Sequence, residues 1–175
     1  MTVSDHPLAP GEVARLLPAT VATLRAELTA LPDRVLAWHP APGEWCVKEV
    51  LGHLIEAERR GFAGRICLIL AAETPTLERW EPPDVARARG DCAKSAAALL
   101  DELAAMRQES ASLVGRLIAA DLDRAGQHPT VGLLRVRDLL QEWVHHDRNH
   151  VRQALANVQA YVWPAMGNSR KFAGE

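Results

Sequence analysis

Four stretches of this chain carry apolar residues at three- and four-residue steps, and segments rich in proline and glycine separate them. That pattern constrains the fold more than any single residue, because a 3.6-residue period gathers those side chains on one helix face. Leu16, Leu17, Val21, Leu24, Leu28 and Leu31 mark a first helix from about Gly11 to Leu31, with Pro18 as a point of kinking or restart. A second opens near Cys46 with Val47, Val50, Leu51 and Leu54, and runs through Ala57 and Gly61 towards Ile66 and Leu70. Trp45, just ahead of it, is placed to pack over the first turn as a hydrophobic staple does. Leu99, Leu100, Leu103, Met106, Leu113 and Leu117 mark a third helix from about Asp91 to Ala120. The fourth runs from about Val136 to Tyr161 and is closed by Trp163-Pro164. Pro32 to Glu44, Glu73 to Asp84 and Asp121 to Arg135 read as loops. No segment sustains strand alternation, so the expected fold is all-α: a four-helix bundle whose long Pro-rich loops leave room for insertions or crossovers.

At 175 residues the chain suits one domain, residues 1–175, with a polar C-terminal tail from about Gly167 to Glu175. Hydrophobic residues at 48% and charged residues at 24% exclude the disordered class. A formal net charge of -2 gives no electrostatic reason to expect nucleic acid or an anionic membrane as partner. The longest apolar run, Ile66 to Ala72, is far short of the roughly 20 residues that span a bilayer. Residues Met1 to Pro7 lack the basic and apolar regions of a secretory signal, so the expected compartment is the cytoplasm. Cys46, Cys67 and Cys92 are odd in number and widely spaced, which suggests neither a disulfide framework nor a Cys-based zinc site.

Seven histidines are present, and three stand apart by position. His146 and His150 are an i, i+4 pair, about 40° apart around a helix and one turn apart along it. They lie on the stripe Val136, Leu139, Trp143, His146, His150, Ala154, which is otherwise apolar and should face the interior. Two neighbouring core imidazoles repel when protonated and need hydrogen-bond partners when neutral. One metal ion resolves both problems. His53 is the best third ligand, on the line Cys46, Val50, His53, Ala57, Gly61, where small neighbours leave open volume. A lone core histidine is more often structural than metal-binding. The pair plus a third inward histidine on another helix points to metal, and three His with a vacant position describe a catalytic site. His145 is rotated about 100° from His146 and is a poor alternative. His6, His39 and His128 fall in loops or near the terminus and read as surface residues.

Two segments carry a family resemblance. Pro42-Gly-Glu-Trp-Cys-Val-Lys-Glu-Val-Leu-Gly-His-Leu-Ile-Glu-Ala-Glu58 resembles the second-helix signature of the DinB-like superfamily of metalloenzymes. Leu139-Leu-Gln-Glu-Trp-Val-His-His-Asp-Arg-Asn-His-Val-Arg-Gln153 resembles its last-helix signature, and a loop of the form His128-Pro-x-x-Gly132 lies between them. The resemblance covers nearly the whole chain. It implies a four-helix bundle in which three histidines hold nickel, zinc or a similar divalent ion, and carried residue by residue the ligands fall on His53, His146 and His150. Where this chain has Cys46, the family often has Ser or Thr, better N-caps. Some relatives use low-molecular-weight thiols as cosubstrates, which implies a small-molecule substrate and a thiol partner here.

An open divalent ion lowers the pKa of a bound thiol or water and so supplies a nucleophile near neutral pH. Glu56, three residues after His53, and Glu142, one turn before His146, are candidates to orient the ligands or move protons; as solvated surface acids they need no role. Arg148 and Arg152 could bind an anionic substrate group or simply form a basic outer face late in the helix. His146-Asp147-x-x-His150 also looks like the zincin pattern with Asp for Glu, which would make Asp147 the base of a metal-dependent hydrolase. Asp is shorter, the third histidine lies upstream, and the expected strands are missing. The favoured expectation is a metal-dependent thiol transferase, with a non-catalytic metal-binding bundle as the contrasting class. Trp and Leu side chains left on exposed faces would favour a homodimer.

Overall fold

A computed structural model of the chain describes residues 6–173. The N-terminal residues read above for a signal lie partly outside that range, as do the last two residues of the expected tail. The helices run in the order α1 (Pro10–Leu28), α2 (Asp33–Leu36), α3 (Val47–Glu56), α4 (Ala63–Ala71), α5 (Pro82–Arg89), α6 (Ala96–Gly115), α7 (Ala119–Leu122) and α8 (Val136–Val162). A π-helical turn, Ala57–Phe62, joins α3 to α4 into one long rod. The four bundle members are α1, the α3–α4 rod, α6 and α8.

The expected stripes are the buried ones. Val21, Leu24 and Leu28 of α1 pack with Val50, Leu51 and Leu54 of α3 and Leu99, Leu100 and Leu103 of α6. A second apolar cluster joins Phe62, Ile66 and Ile69 to Val136, Leu139, Leu140 and Trp143. Helix α1 runs through Pro18 without a break and stops at Leu28, three residues short of the expected end. The π turn needs Gly64, since a Cβ there would sit 2.0 Å from the Arg59 carbonyl oxygen. Such turns shift the helix register by one residue and recur near functional sites.

The expected third helix, Asp91 to Ala120, is divided. A 3-10 turn occupies Asp91–Ala93, and α6 begins only after Ser95, whose hydroxyl accepts the Ala98 N–H at 3.4 Å. Helix α5 falls partly within the expected loop. Its signals were a proline at the first position and Gly90 at its end, where φ is +60°. The expected loop Asp121 to Arg135 holds a small antiparallel hairpin, β1 (Ala125–His128) and β2 (Gly132–Arg135), pairing His128 with Gly132 and Ala125 with Arg135. Four-residue strands are too short to show alternation in sequence. The expected polar tail folds back in short turns: Arg170 Nη2 donates to the Pro164 carbonyl at 2.8 Å. No helix among the described residues is long and apolar enough to cross a membrane.

Candidate metal centre

His53 comes from the middle of α3, and His146 and His150 from successive turns of α8. The periodicity that buries Val50 and Trp143 turns all three imidazoles towards one another. One ring nitrogen of each lies within 4.8 Å of the others, and His53 Nε2 is 3.0 Å from His146 Nε2. A tetrahedral ion with ligand nitrogens at about 2.0–2.1 Å separates them by roughly 3.3 Å. The three residues therefore fit one divalent ion in spacing and in donor type, and the group could hold a metal.

Electrostatics point the same way. Burial, then the neighbouring His150, pushes the His53 imidazole down to about 3. Burial, then His150 and His53, does the same to His146, also to about 3. His150 is lowered chiefly by burial. All three rings are thus neutral at pH 7, and each offers a lone pair. His150 Nδ1 lies 2.8 Å from Gln153 Oε1. Because that oxygen only accepts, Nδ1 carries the proton and Nε2 is left free as a ligand. The Nδ1 atoms of His53 and His146 are buried without a hydrogen-bond partner among the described residues.

Aromatic rings enclose the cluster. Trp45, expected as a staple over the first turn of α3, lies 4.9 Å from the His53 ring and 6.5 Å from that of His150. Trp80 stacks on His53 at 5.7 Å, and Phe62 meets His146 edge-on at 5.1 Å.

His53 and His146 form part of the wall of a cavity of about 350 Å³. Arg65, Arg79, His128 and Glu142 share that wall. The sequence reading missed Arg65 and Arg79 and named Arg148 and Arg152 instead; both of those are exposed and line none of this cavity. Arg65 is desolvated, which lowers its pKa against the pull of Glu142, and its buried Nε has no hydrogen-bond partner. His128, expected on the surface, is buried: its Nδ1 accepts the Thr130 N–H at 3.2 Å and the Val131 N–H at 3.4 Å. The hairpin turn thereby leaves the proton of the neutral ring on Nε2.

The other candidate groups are committed elsewhere. The Asp147 carboxylate takes both Arg107 guanidinium nitrogens at 2.8 Å, so it is not placed as a zincin-type base. Glu56 accepts from Arg59, Arg60 and Arg89 rather than from His53. Glu142 reaches the cavity but makes no hydrogen bond with a histidine of the cluster among the described contacts. His145 faces away as expected, beside Asn149 at 3.2 Å. The cysteine expectation fails: Cys46 and Cys92 are joined as a disulfide, with only Cys67 free. Forty-six residues separate them, and no local spacing signals such a pairing.

Comparison with known proteins bears on the fold and the family. The structure of YfiT from Bacillus subtilis superposes with a TM-score of 0.80 at 18% identity, covering 91% of this chain and 92% of that one. YfiT is described as a probable metal-dependent hydrolase with an unusual four-helix bundle topology. The protein YuaE of Bacillus subtilis (strain 168) is 27% identical over 140 residues, 73% of this chain and 85% of its own. The model of the DinB superfamily matches residues 16–154, which takes in α1 through the histidines of α8. The chain belongs to the DinB superfamily.

Proposed function

We propose that His53, His146 and His150 hold one divalent ion, nickel or zinc as the family resemblance implies, and that the protein is a metal-dependent transferase using a small thiol against an anionic electrophile. The observation that carries this reading is the set of three neutral imidazoles converging beside an open cavity. Three neutral ligands leave the full double charge on the ion, which when bound supplies its usual chemistry of lowering the pKa of a coordinated thiol or water.

The remaining steps belong to the chain's own groups. Trp45, Trp80 and Phe62 pack against the histidine rings, shield them from water and fix them. Arg65, desolvated and with Nε unpaired, receives a carboxylate or phosphate of the electrophile, while Arg79 on the same wall is paired with Glu81. His128 Nε2–H is a donor for charge developing on the electrophile. Glu142 takes up the proton released from the thiol and offsets Arg65 while the cavity is empty of substrate.

A hydrolase is the second reading, favoured by the description of YfiT and by Glu142 as a base for water. Metal-loaded protein incubated with a panel of small thiols and a carboxylated electrophile separates the two. The transferase reading expects metal- and thiol-dependent consumption, lost in His150→Ala, with KM for the carboxylated compound raised roughly tenfold or more in Arg65→Ala. Cleavage of esters or amides without any thiol effect would replace it with the hydrolase. If neither occurs, the chain is a metal-binding bundle without this catalysis.

A further inference from the structure

A second group of donor atoms lies at the start of α3, two turns before His53. His39 follows α2, Cys46 and Glu49 belong to the entry of α3, and Cys92 sits in the turn between α5 and α6. One atom from each of the four lies within 4.8 Å of all the others. His39 Nε2 is 3.0 Å from Glu49 Oε2 and 3.8 Å from Cys92 Sγ. The cross-link accounts for the two sulfurs and the capping of α3 for Glu49, but neither gives a role to the imidazole gathered on them.

The gathering is held by more than the sulfur–sulfur bond. Gly52 has no room for a side chain: a Cβ there would sit 1.7 Å from Asp91 Oδ2, so the 91–93 turn lies directly on α3. Asp91 is fixed in turn by Arg89 Nε at 2.6 Å and Lys94 Nζ at 2.7 Å. The buried Lys48 ammonium donates to the Cys92 carbonyl at 3.2 Å. Glu49 is oriented by the Cys46 N–H, which donates to its Oε2 at 2.8 Å. None of these contacts is made by either sulfur.

We propose that the reduced cluster is a second divalent-metal site, with Cys46, Cys92, His39 and Glu49 as ligands for zinc, and that the disulfide is its oxidised, metal-free form. Two thiolates, an imidazole and a carboxylate form a zinc donor set. A tetrahedral ion with sulfur at about 2.3 Å and nitrogen or oxygen near 2.0 Å spaces its donors by roughly 3.3–3.8 Å. The contacts of His39 with Glu49 and Cys92 already approach those spacings, and the Cα atoms of the cysteines, 6.8 Å apart, allow their sulfurs to separate. The N-terminus of α3 stabilises the Cys46 thiolate.

The exchange balances. Two small thiols reduce the disulfide, yielding two protein thiols and one small-molecule disulfide, and the incoming ion displaces two thiol protons. In reverse, hydrogen peroxide takes two electrons from the thiolates. The sulfurs bond, the ion leaves, and two protons from solvent complete two waters. His39, 46% exposed, opens the cluster to ion and oxidant.

The test is cobalt(II) titration of the full chain, reduced with a phosphine or left oxidised, followed by near-ultraviolet thiolate-to-cobalt charge transfer. The inference does not rest on the three-histidine reading, because imidazole ligands give no such band. The reduced chain is expected to take up one cobalt more than the oxidised chain and to show the band. Added peroxide should release that ion and abolish the band. Cys92→Ser should remove the band, and His39→Ala should weaken cobalt binding at least tenfold while circular dichroism stays unchanged. Equal cobalt uptake in both redox states without a band, or a band untouched in His39→Ala, would overturn the proposal.

Discussion

Neighbouring residues of α8 face two interior polar clusters of opposite character. His146 looks into the three-histidine group, and Asp147, turned about 100° further round, looks at Arg107. Around Arg107 opposite charges meet: the guanidinium is 1% exposed, holds Asp147 through two nitrogens, and has Glu58 Oε2 3.0 Å from its Nε as an ion pair, although that Nε and both Glu58 oxygens make no hydrogen bond among the described residues. Around His146 the polarity is unmatched, with two buried Nδ1 atoms lacking partners and neutral rings turned upon each other. Buried polar groups in native proteins are nearly always satisfied. A cluster whose opposite charges offset one another belongs to the architecture. One made only of lone-pair donors turned upon one another, with no opposite charge among them, suits a cation.

The largest stability effect should therefore fall on the matched cluster. Arg107→Ala strands two buried carboxyls and is expected to cost about 3–5 kcal/mol in urea unfolding. His150→Ala, measured as the metal-free protein, should cost much less. Comparable losses in the two variants would erase the distinction between them. Asp147→Asn comes next: it keeps the shape but loses the charge facing Arg107, for an expected loss of about 1–3 kcal/mol. Its metal content should be unchanged. Loss of metal in that variant with stability intact would mean that Asp147 serves the histidines instead.

Glu58 sharpens the comparison through pH. Burial pushes its carboxyl up to about 7, against the attraction of Arg107. Between the ordinary carboxylate value and pH 7 the folded state holds a proton that the unfolded state has released, so this group's stabilisation is full at low pH and fades as pH rises through that window. Glu58→Gln stays neutral throughout. Its stability relative to the parent should rise from about pH 4.5 to 7, as read by thermal unfolding at several pH values. A flat difference would place the Glu58 carboxyl at its ordinary value. The smallest effect belongs to His145→Ala, at an exposed position, where stability should shift by no more than about 0.5 kcal/mol and metal content not at all.

Much of this was legible in the sequence, for a physical reason. The bundle helices and the convergence of His53, His146 and His150 follow from helical period, which is local. The stripe from Val136 to Ala154 is enough to turn His146 and His150 inward. What stayed hidden depends on contacts between distant segments. Nothing near Cys46 signals that the turn carrying Cys92 will be seated on Gly52, and nothing near His128 signals a hairpin that turns its ring into the cavity. Arg65 and Arg79 reach the cavity only because the rod past the π turn and the following loop come together there. Helix α5 is the exception: its proline start and Gly90 stop were readable, and the prolines around it disguised them as a loop.

The central claim is that the unmatched cluster is the metal site, and elemental analysis after metal loading tests it most directly. The parent chain, His146→Ala and His150→Ala should be compared with the cysteine pair oxidised, so that only the histidine cluster contributes. About one nickel or zinc ion per parent chain is expected, with most of it lost in each variant while helix content by circular dichroism is preserved. A parent that takes up no ion, or variants that retain the parent's full content, would contradict the account.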